Sequence, residues 1–237
     1  ETEQYEHENV GPMITFGRGQ NEAKWRFNWH CPIVLDPFDP ETIYTAAEVV
    51  FRSRDRGNKW EVISPVLTKD DESKQQASGS PSSLETSGQE AYNTIHRMVC
   101  STVQKGVIWT GANDGPVHVT RDGGGTWTRV DEGAGGVPEN SWVPMITASP
   151  HDAGTAFIVF DNHRRSDMKP YVYRATGYGS RWENLGHESL SGYALSILQD
   201  PVDPQLLFLG TEFGLFVSVN GGDSWTRFTA GVPTASV

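Results

Sequence analysis

The chain has 237 residues, with 30 acidic against 19 basic side chains and a net charge of −11. An acidic surface of this kind repels phosphate backbones, and His163-Arg164-Arg165 is too short a basic run to oppose it, so no nucleic-acid partner is expected. No window of 18 consecutive apolar residues occurs, which excludes a membrane-spanning helix. Glu1 to Asn9 is acidic and polar and shows no signal peptide. Cys31 and Cys100 are expected as buried free thiols in two different strands. The chain contains no Cys-x-x-Cys spacing and no Asn-x-Ser/Thr sequon.

In chain order, residues 1–27 form a polar N-terminal segment, and within it Met13 to Phe16 reads as a strand at the end of a preceding blade. Residues 28–67 are the first repeat: Cys31 to Leu35, the turn Asp36-Pro37-Phe38-Asp39-Pro40, then Thr42 to Thr45, Val49 to Ser53 and Trp60 to Ile63. Residues 68–93 are a polar loop, mobile because it lacks apolar side chains to bury. The second repeat, 94–131, runs Thr94 to Cys100, Val107 to Thr110, Val117 to Thr120 and Trp127 to Val130. The third, 142–185, runs Val143 to Ala148, Ala156 to Phe160, Tyr171 to Arg174 and Trp182 to Leu185. The fourth, 193–230, is the clearest: Tyr193 to Gln199 alternates as a half-buried strand, the proline-punctuated turn Asp200-Pro201-Val202-Asp203-Pro204 follows, and three further strands complete the unit. Residues 231–237 read as the start of a missing blade. Four antiparallel strands in about 40 residues make one propeller blade. The fold class is therefore all-β: a β-propeller of four-stranded antiparallel blades, four of them present. Four such blades leave sheet edges and apolar faces to cover, so the chain is expected to be part of a larger propeller or one closed by a second chain.

One short pattern recurs in every repeat. Ser53, Asp55, Gly57 and Trp60 fall on Ser/Thr-x-Asp/Asn-x-Gly-x-x-Trp, as do Thr120, Asp122, Gly124 and Trp127, and Ser218, Asn220, Gly222 and Trp225. A fourth copy keeps only Gly179 and Trp182. The short acceptor can bond backbone N–H groups of its own turn, the glycine suits a positive φ, and tryptophan supplies an apolar plate that packs on the next unit. The pattern is structural: it specifies a hairpin, not a chemistry.

These boxes resemble the Asp-box, or BNR repeat, of sialidases, sortilin-type receptors and xyloglucan-cleaving endoglucanases. Longer phrases, among them Ile63-Ser64-Pro65-Val66-Leu67-Thr68, Asp167-Met168-Lys169-Pro170-Tyr171-Val172-Tyr173 and Leu207-Phe208-Leu209-Gly210-Thr211-Glu212-Phe213-Gly214, are similar to large bacterial proteins of the sortilin-like or glycosyl-hydrolase-like propeller kind. The resemblance covers most of residues 26–234. It implies an exported protein, periplasmic or extracellular, with a much longer chain.

Chemistry is sought where the turns between second and third strands share one face. Glu48, Asp114, Asp161 and Glu212 fall there, one per repeat, with His163 beside Asp161. Carboxylates at one mouth can act as acid and base in glycoside cleavage or hold a hard cation, and acidic residues also simply make good turns. His30, His96, His163 and Trp29 are candidate ligand-binding residues near the same mouth, and Trp25, Trp109 and Trp142 are further surfaces for stacking sugar rings. The resemblance to sialidases stops short of their arginine triad, since Arg26, Arg52, Arg97 and Arg164 do not align into one. Glu48 stands where an aspartate of the xyloglucan-cleaving enzymes would, without their Asp-x-Gly-Gly context. The expectation is a non-catalytic binding module for a protein or carbohydrate ligand, with no cofactor and no metal. The alternative is a glycoside hydrolase acting on a β-glucan through Glu48, Asp114, Asp161 and Glu212.

Overall fold

A computed structural model describes residues 11–12, 24–75, 92–231 and 235–237 of the chain. It contains four antiparallel sheets of four strands, each built from consecutive strands in the order of the sequence. The first sheet comprises β1 (Ile33–Asp36), β2 (Asp39–Ala46), β3 (Val50–Ser53) and β4 (Glu61–Val62), and the second β5 (Ile95–Cys100), β6 (Ile108–Ala112), β7 (Val117–Thr120) and β8 (Thr128–Arg129). The third comprises β9 (Trp142–Ala148), β10 (Ala156–Asn162), β11 (Asp167–Thr176) and β12 (Arg181–Asn184), and the fourth β13 (Ala194–Gln199), β14 (Leu207–Thr211), β15 (Gly214–Ser218) and β16 (Thr226–Arg227). The first strands pack in sequence, β5 on β1, β9 on β5 and β13 on β9, so they form the inner side of an arc of blades. Among the described residues no comparable packing joins the fourth sheet to the first.

Strand periodicity explains where the cores lie. Successive residues of a strand point to opposite faces, and each inner blade is covered on both. Ile158 and Phe160 therefore enter the core shared with the second blade, which also holds Val117, Val119, Val143 and Ile146. Phe157 and Val159 enter the core shared with the fourth, beside Leu185, Leu207, Leu209 and Trp225. Tyr44, Val50, Ile63, Ile95 and Ile108 fill the space between the first two blades. The other face of the first blade carries Phe27, Ala47, Val49 and Phe51, with Trp25 set edge-on to Phe51 at 5.2 Å. On the outward face of the fourth sheet Leu198, Val219 and Phe228 remain exposed.

The boxes close as hairpins in the way their residue types dictate. Ser53 Oγ accepts from Gly57 N at 2.7 Å and Asp55 Oδ1 accepts from Lys59 N at 2.8 Å. Thr120 with Asp122, and Ser218 with Asn220, repeat both bonds at 2.8–3.0 Å. Those hydrogen bonds hold the Asp122 carboxyl down at about 2, with the Thr126 backbone N–H as the largest cause. Gly57, Gly124, Gly179 and Gly222 all have φ between 85° and 101°.

The tryptophans pack on the preceding blade, not on the next one as the sequence suggested. Trp127 Nε1 donates to Ile63 O at 2.8 Å and Trp225 Nε1 to Leu185 O at 2.9 Å, each carbonyl lying just beyond the fourth strand of the blade before. Arginine returns the contact from the earlier blade: Arg52 Nη1 donates to Gly123 O at 3.0 Å and Arg174 Nη1 to Gly221 O at 3.1 Å. The joint between second and third blades is different. Val119 stands in the strand position of those arginines, pairing with Trp109 and Thr128, and so offers no donor to the next blade. Trp182 bonds its own Gly179 O and lies over Gly133, while Arg121 stacks at 4.1 Å on Tyr178.

Other expectations change with the structure. Trp109 is 0% exposed, in the core between second and third blades, and Trp25 is half-buried, so neither offers a free ring face of the kind expected. A strand buried on both sides gives no alternation to reveal this. Cys100 is buried and Cys31 half-buried; both are free, and burial pushes the Cys100 thiol up to about 12. Met13 to Phe16 lies outside the described residues, as does most of the 68–93 stretch. Its first residues, 68–75, are held against the blades: Lys69 N donates to Asp114 and Lys69 Nζ to Asn140.

Candidate functional site

The turns between second and third strands and the connections between blades do meet on one face. Ile95 N, at the start of β5, donates to Ala47 O at 2.7 Å, and Glu212 N to Tyr193 O at 2.9 Å. The four carboxylates fall into two neighbourhoods. Glu48 and Asp114 flank the segment Leu67-Thr68-Lys69: Leu67 N donates to Glu48 O and Lys69 N to Asp114 Oδ2. Asp161 and Glu212 flank Gly192 and Tyr193, for His163 is bound to Asp161 and stacks on Tyr193 with ring centroids 4.1 Å apart.

Each carboxylate has its own surroundings. Glu48 is buried, accepts Arg26 N at 2.7 Å, and has the Arg26 guanidinium 3.9 Å away. That guanidinium in turn bonds Asp70 at 2.6 Å. Asp114 is fully buried; Oδ2 accepts from Lys69 N at 2.7 Å and Asn93 Nδ2 at 2.6 Å, whereas Oδ1 has no hydrogen-bond partner among the described residues. Burial raises its carboxyl above the ordinary value despite those two bonds. Asp161 is buried and accepts both the backbone N–H of His163 at 3.0 Å and a contact from its Nδ1 at 2.7 Å, which orients the imidazole. Glu212 is half-exposed, folded against Gly192. Among the described residues no three His, Cys, Asp or Glu side chains gather closely enough to hold a metal ion.

A folded state that binds the Asp114 proton more tightly than the unfolded chain loses stability as pH rises from the ordinary carboxylate value through the raised one. Asp114→Asn keeps an acceptor for Lys69 and Asn93 and removes the charge. It is expected to melt higher than the wild type at pH 7, with the gap closing below pH 4. A constant gap across the pH range would remove ionisation as its cause.

The histidine and tryptophan candidates form a continuous row. In β5, Ile95 pairs with Ala112 and Arg97 with Gly111, so His96 is the extra residue of a bulge, which re-aims its side chain. Its ring lies 5.3 Å from His30 and 5.5 Å from Trp142, and the Arg164 guanidinium sits 4.1 Å over Trp142. Trp29, next to His30, is 63% exposed. His30, His96 and Trp142 are thus brought together; His163 belongs to the Asp161–Tyr193 neighbourhood. Sequence reasoning missed Arg26, Lys69, Asn93 and Tyr193. Their only signal was proximity to the repeat ends, where connections enter the mouth.

No protein-family model matches this chain, and no curated protein matches it in sequence. Solved structures do. An ancestral GH74 enzyme superposes with a TM-score of 0.61 at 17% identity, over 92% of this chain and 26% of that one. The GH74 xyloglucanase from Xanthomonas campestris gives 0.58 at 20% identity, over 84% and 29% of the two chains. The extracellular domain of a hybrid two-component system from B. thetaiotaomicron gives 0.54 at 14% identity, over 86% and 25%. At such identities the likeness shows the fold: this chain is part of a β-propeller, spanning 25–29% of the length of these three.

Proposed function

We propose that the chain is a non-catalytic glycan-binding part of a larger, exported β-propeller protein. The observation that carries this reading is the row of rings at the mouth, His30, His96 and Trp142 with Arg164 stacked on the indole, beside the exposed Trp29. Flat apolar faces with polar rims suit the faces and hydroxyls of sugars. The similarity of fold to GH74 enzymes and to an extracellular sensor domain supports a carbohydrate ligand and an exported location.

Titration calorimetry with xyloglucan and other plant and bacterial oligosaccharides tests the reading. Binding is expected, and Trp142→Ala is expected to weaken it about tenfold, the loss of one good stacking contact. No response to any oligosaccharide would leave a protein as the ligand. A hydrolase acting on a β-glucan is the second reading, favoured by the raised carboxyl of Asp114, since glycosidic cleavage needs an acid that keeps its proton. The burial of Asp114 behind Lys69 and Asn93 weighs toward binding alone. Release of reducing sugar by the wild type, abolished in Glu48→Ala and Asp114→Ala, would establish the hydrolase.

A further inference from the structure

Beside the four carboxylates of the mouth, two arginines near Trp142 stand without one. Acidic side chains outnumber basic ones 30 to 19, yet among the described residues neither Arg97 nor Arg164 has an ion-pair partner. Arg97 Nε donates to Pro144 O, which fixes that guanidinium beside the bulge. Arg164 is exposed and stacked on Trp142. His96 is 6% exposed, and its Nδ1 is buried with no hydrogen-bond partner among the described residues. Burial first, then the charges of Arg97, His30 and Arg164, pull His96 down to about 4, so at pH 7 it is neutral, with one nitrogen a donor and the other an acceptor.

We infer that this part of the mouth seats an acidic sugar: a uronate whose ring lies along Trp142 and His30 and whose carboxylate meets the guanidinium of Arg164. The inference rests on the glycan reading and narrows it. A planar guanidinium pairs with a carboxylate through two parallel N–H bonds, and one already held over an indole gives up little freedom in doing so. Arg97 adds fixed positive charge behind the site, and the neutral His96 ring packs against the His30 and Trp142 rings that the sugar would lie along. Elsewhere the net charge of −11 repels acidic polymers, so whatever such ligand binds is held by local chemistry and not by a general field.

The experiment compares trigalacturonate, a neutral xyloglucan oligosaccharide of similar size and hexaglutamate, each titrated into the whole chain at low and at moderate salt. Trigalacturonate is expected to bind at least tenfold more tightly than the neutral sugar, and to weaken as salt is raised. Arg164→Gln, an exposed substitution that leaves the cores untouched, is expected to lower its affinity about tenfold and to remove most of its dependence on salt. Equal binding of acidic and neutral sugars, or indifference to Arg164→Gln, overturns the inference and leaves the glycan reading standing. Hexaglutamate binding as tightly as trigalacturonate overturns the choice of a sugar. No binding of either sugar sinks the glycan reading itself.

Discussion

Gly124→Ala is expected to lower folding stability by about 4 kcal/mol in a urea titration, although the residue is a turn glycine near the rim. Two effects combine. Its φ of 100° is a conformation that side-chain-bearing residues adopt only under strain, and a Cβ there would stand 2.7 Å from Ile63 O and 2.9 Å from Ile63 Cβ in the preceding blade. Backbone strain and overpacking each contribute roughly 1–3 kcal/mol. Gly135→Ala is the control: a Cβ there has nothing within 4 Å, so its midpoint should move by no more than about 0.5 kcal/mol. Similar losses at the two sites would show that the box glycine is needed for chain flexibility and not for close approach to the neighbouring blade.

Trp225→Ala is the second large effect, about 4 kcal/mol by the same measurement. The side chain is 5% exposed, packs in the core with Leu185, Leu207 and Phe216, and its indole N–H meets Leu185 O. Truncation leaves both a cavity and an unpaired carbonyl. Trp182→Ala should cost roughly half as much, because Trp182 is half-buried and its N–H serves its own hairpin. If the two variants lose the same stability, the bond to the preceding blade is not what distinguishes them.

How much of this was legible depended on the range of the interaction. A box acts within eight residues, so Ser53, Asp55 and Gly57 could be assigned their turn from spacing, and the observed bonds match. The fold class followed from repetition, since each repeat carried a proline-rich or glycine-rich turn between apolar runs. The direction in which tryptophan packs was not legible, because nothing in the spacing of Trp127 distinguishes Ile63 behind it from the residues ahead. At the mouth, Glu48, Asp114, Asp161 and Glu212 could be placed by aligning turns. Their partners could not, for Arg26, Lys69 and Asn93 come from irregular connections that differ from blade to blade. The row of His30, His96, Trp142 and Arg164 needed even more: four separate segments and a one-residue bulge in β5. Neither leaves a periodic trace.

The rim contacts between blades have a consequence for the lengths of the connections. Trp127 reaches Ile63 across 64 residues of chain, and Trp225 reaches Leu185 across 40. The entropy of closing a loop grows only with the logarithm of its length, so the longer closure costs about 0.4 kcal/mol more than the shorter. That is less than one ordinary hydrogen bond contributes. Connections such as the polar stretch after Thr68 can therefore lengthen or shorten with little thermodynamic effect while the joint keeps its geometry. What changes is the order of events: contacts between distant residues form more slowly, so the joint between third and fourth blades should close before the joint between first and second.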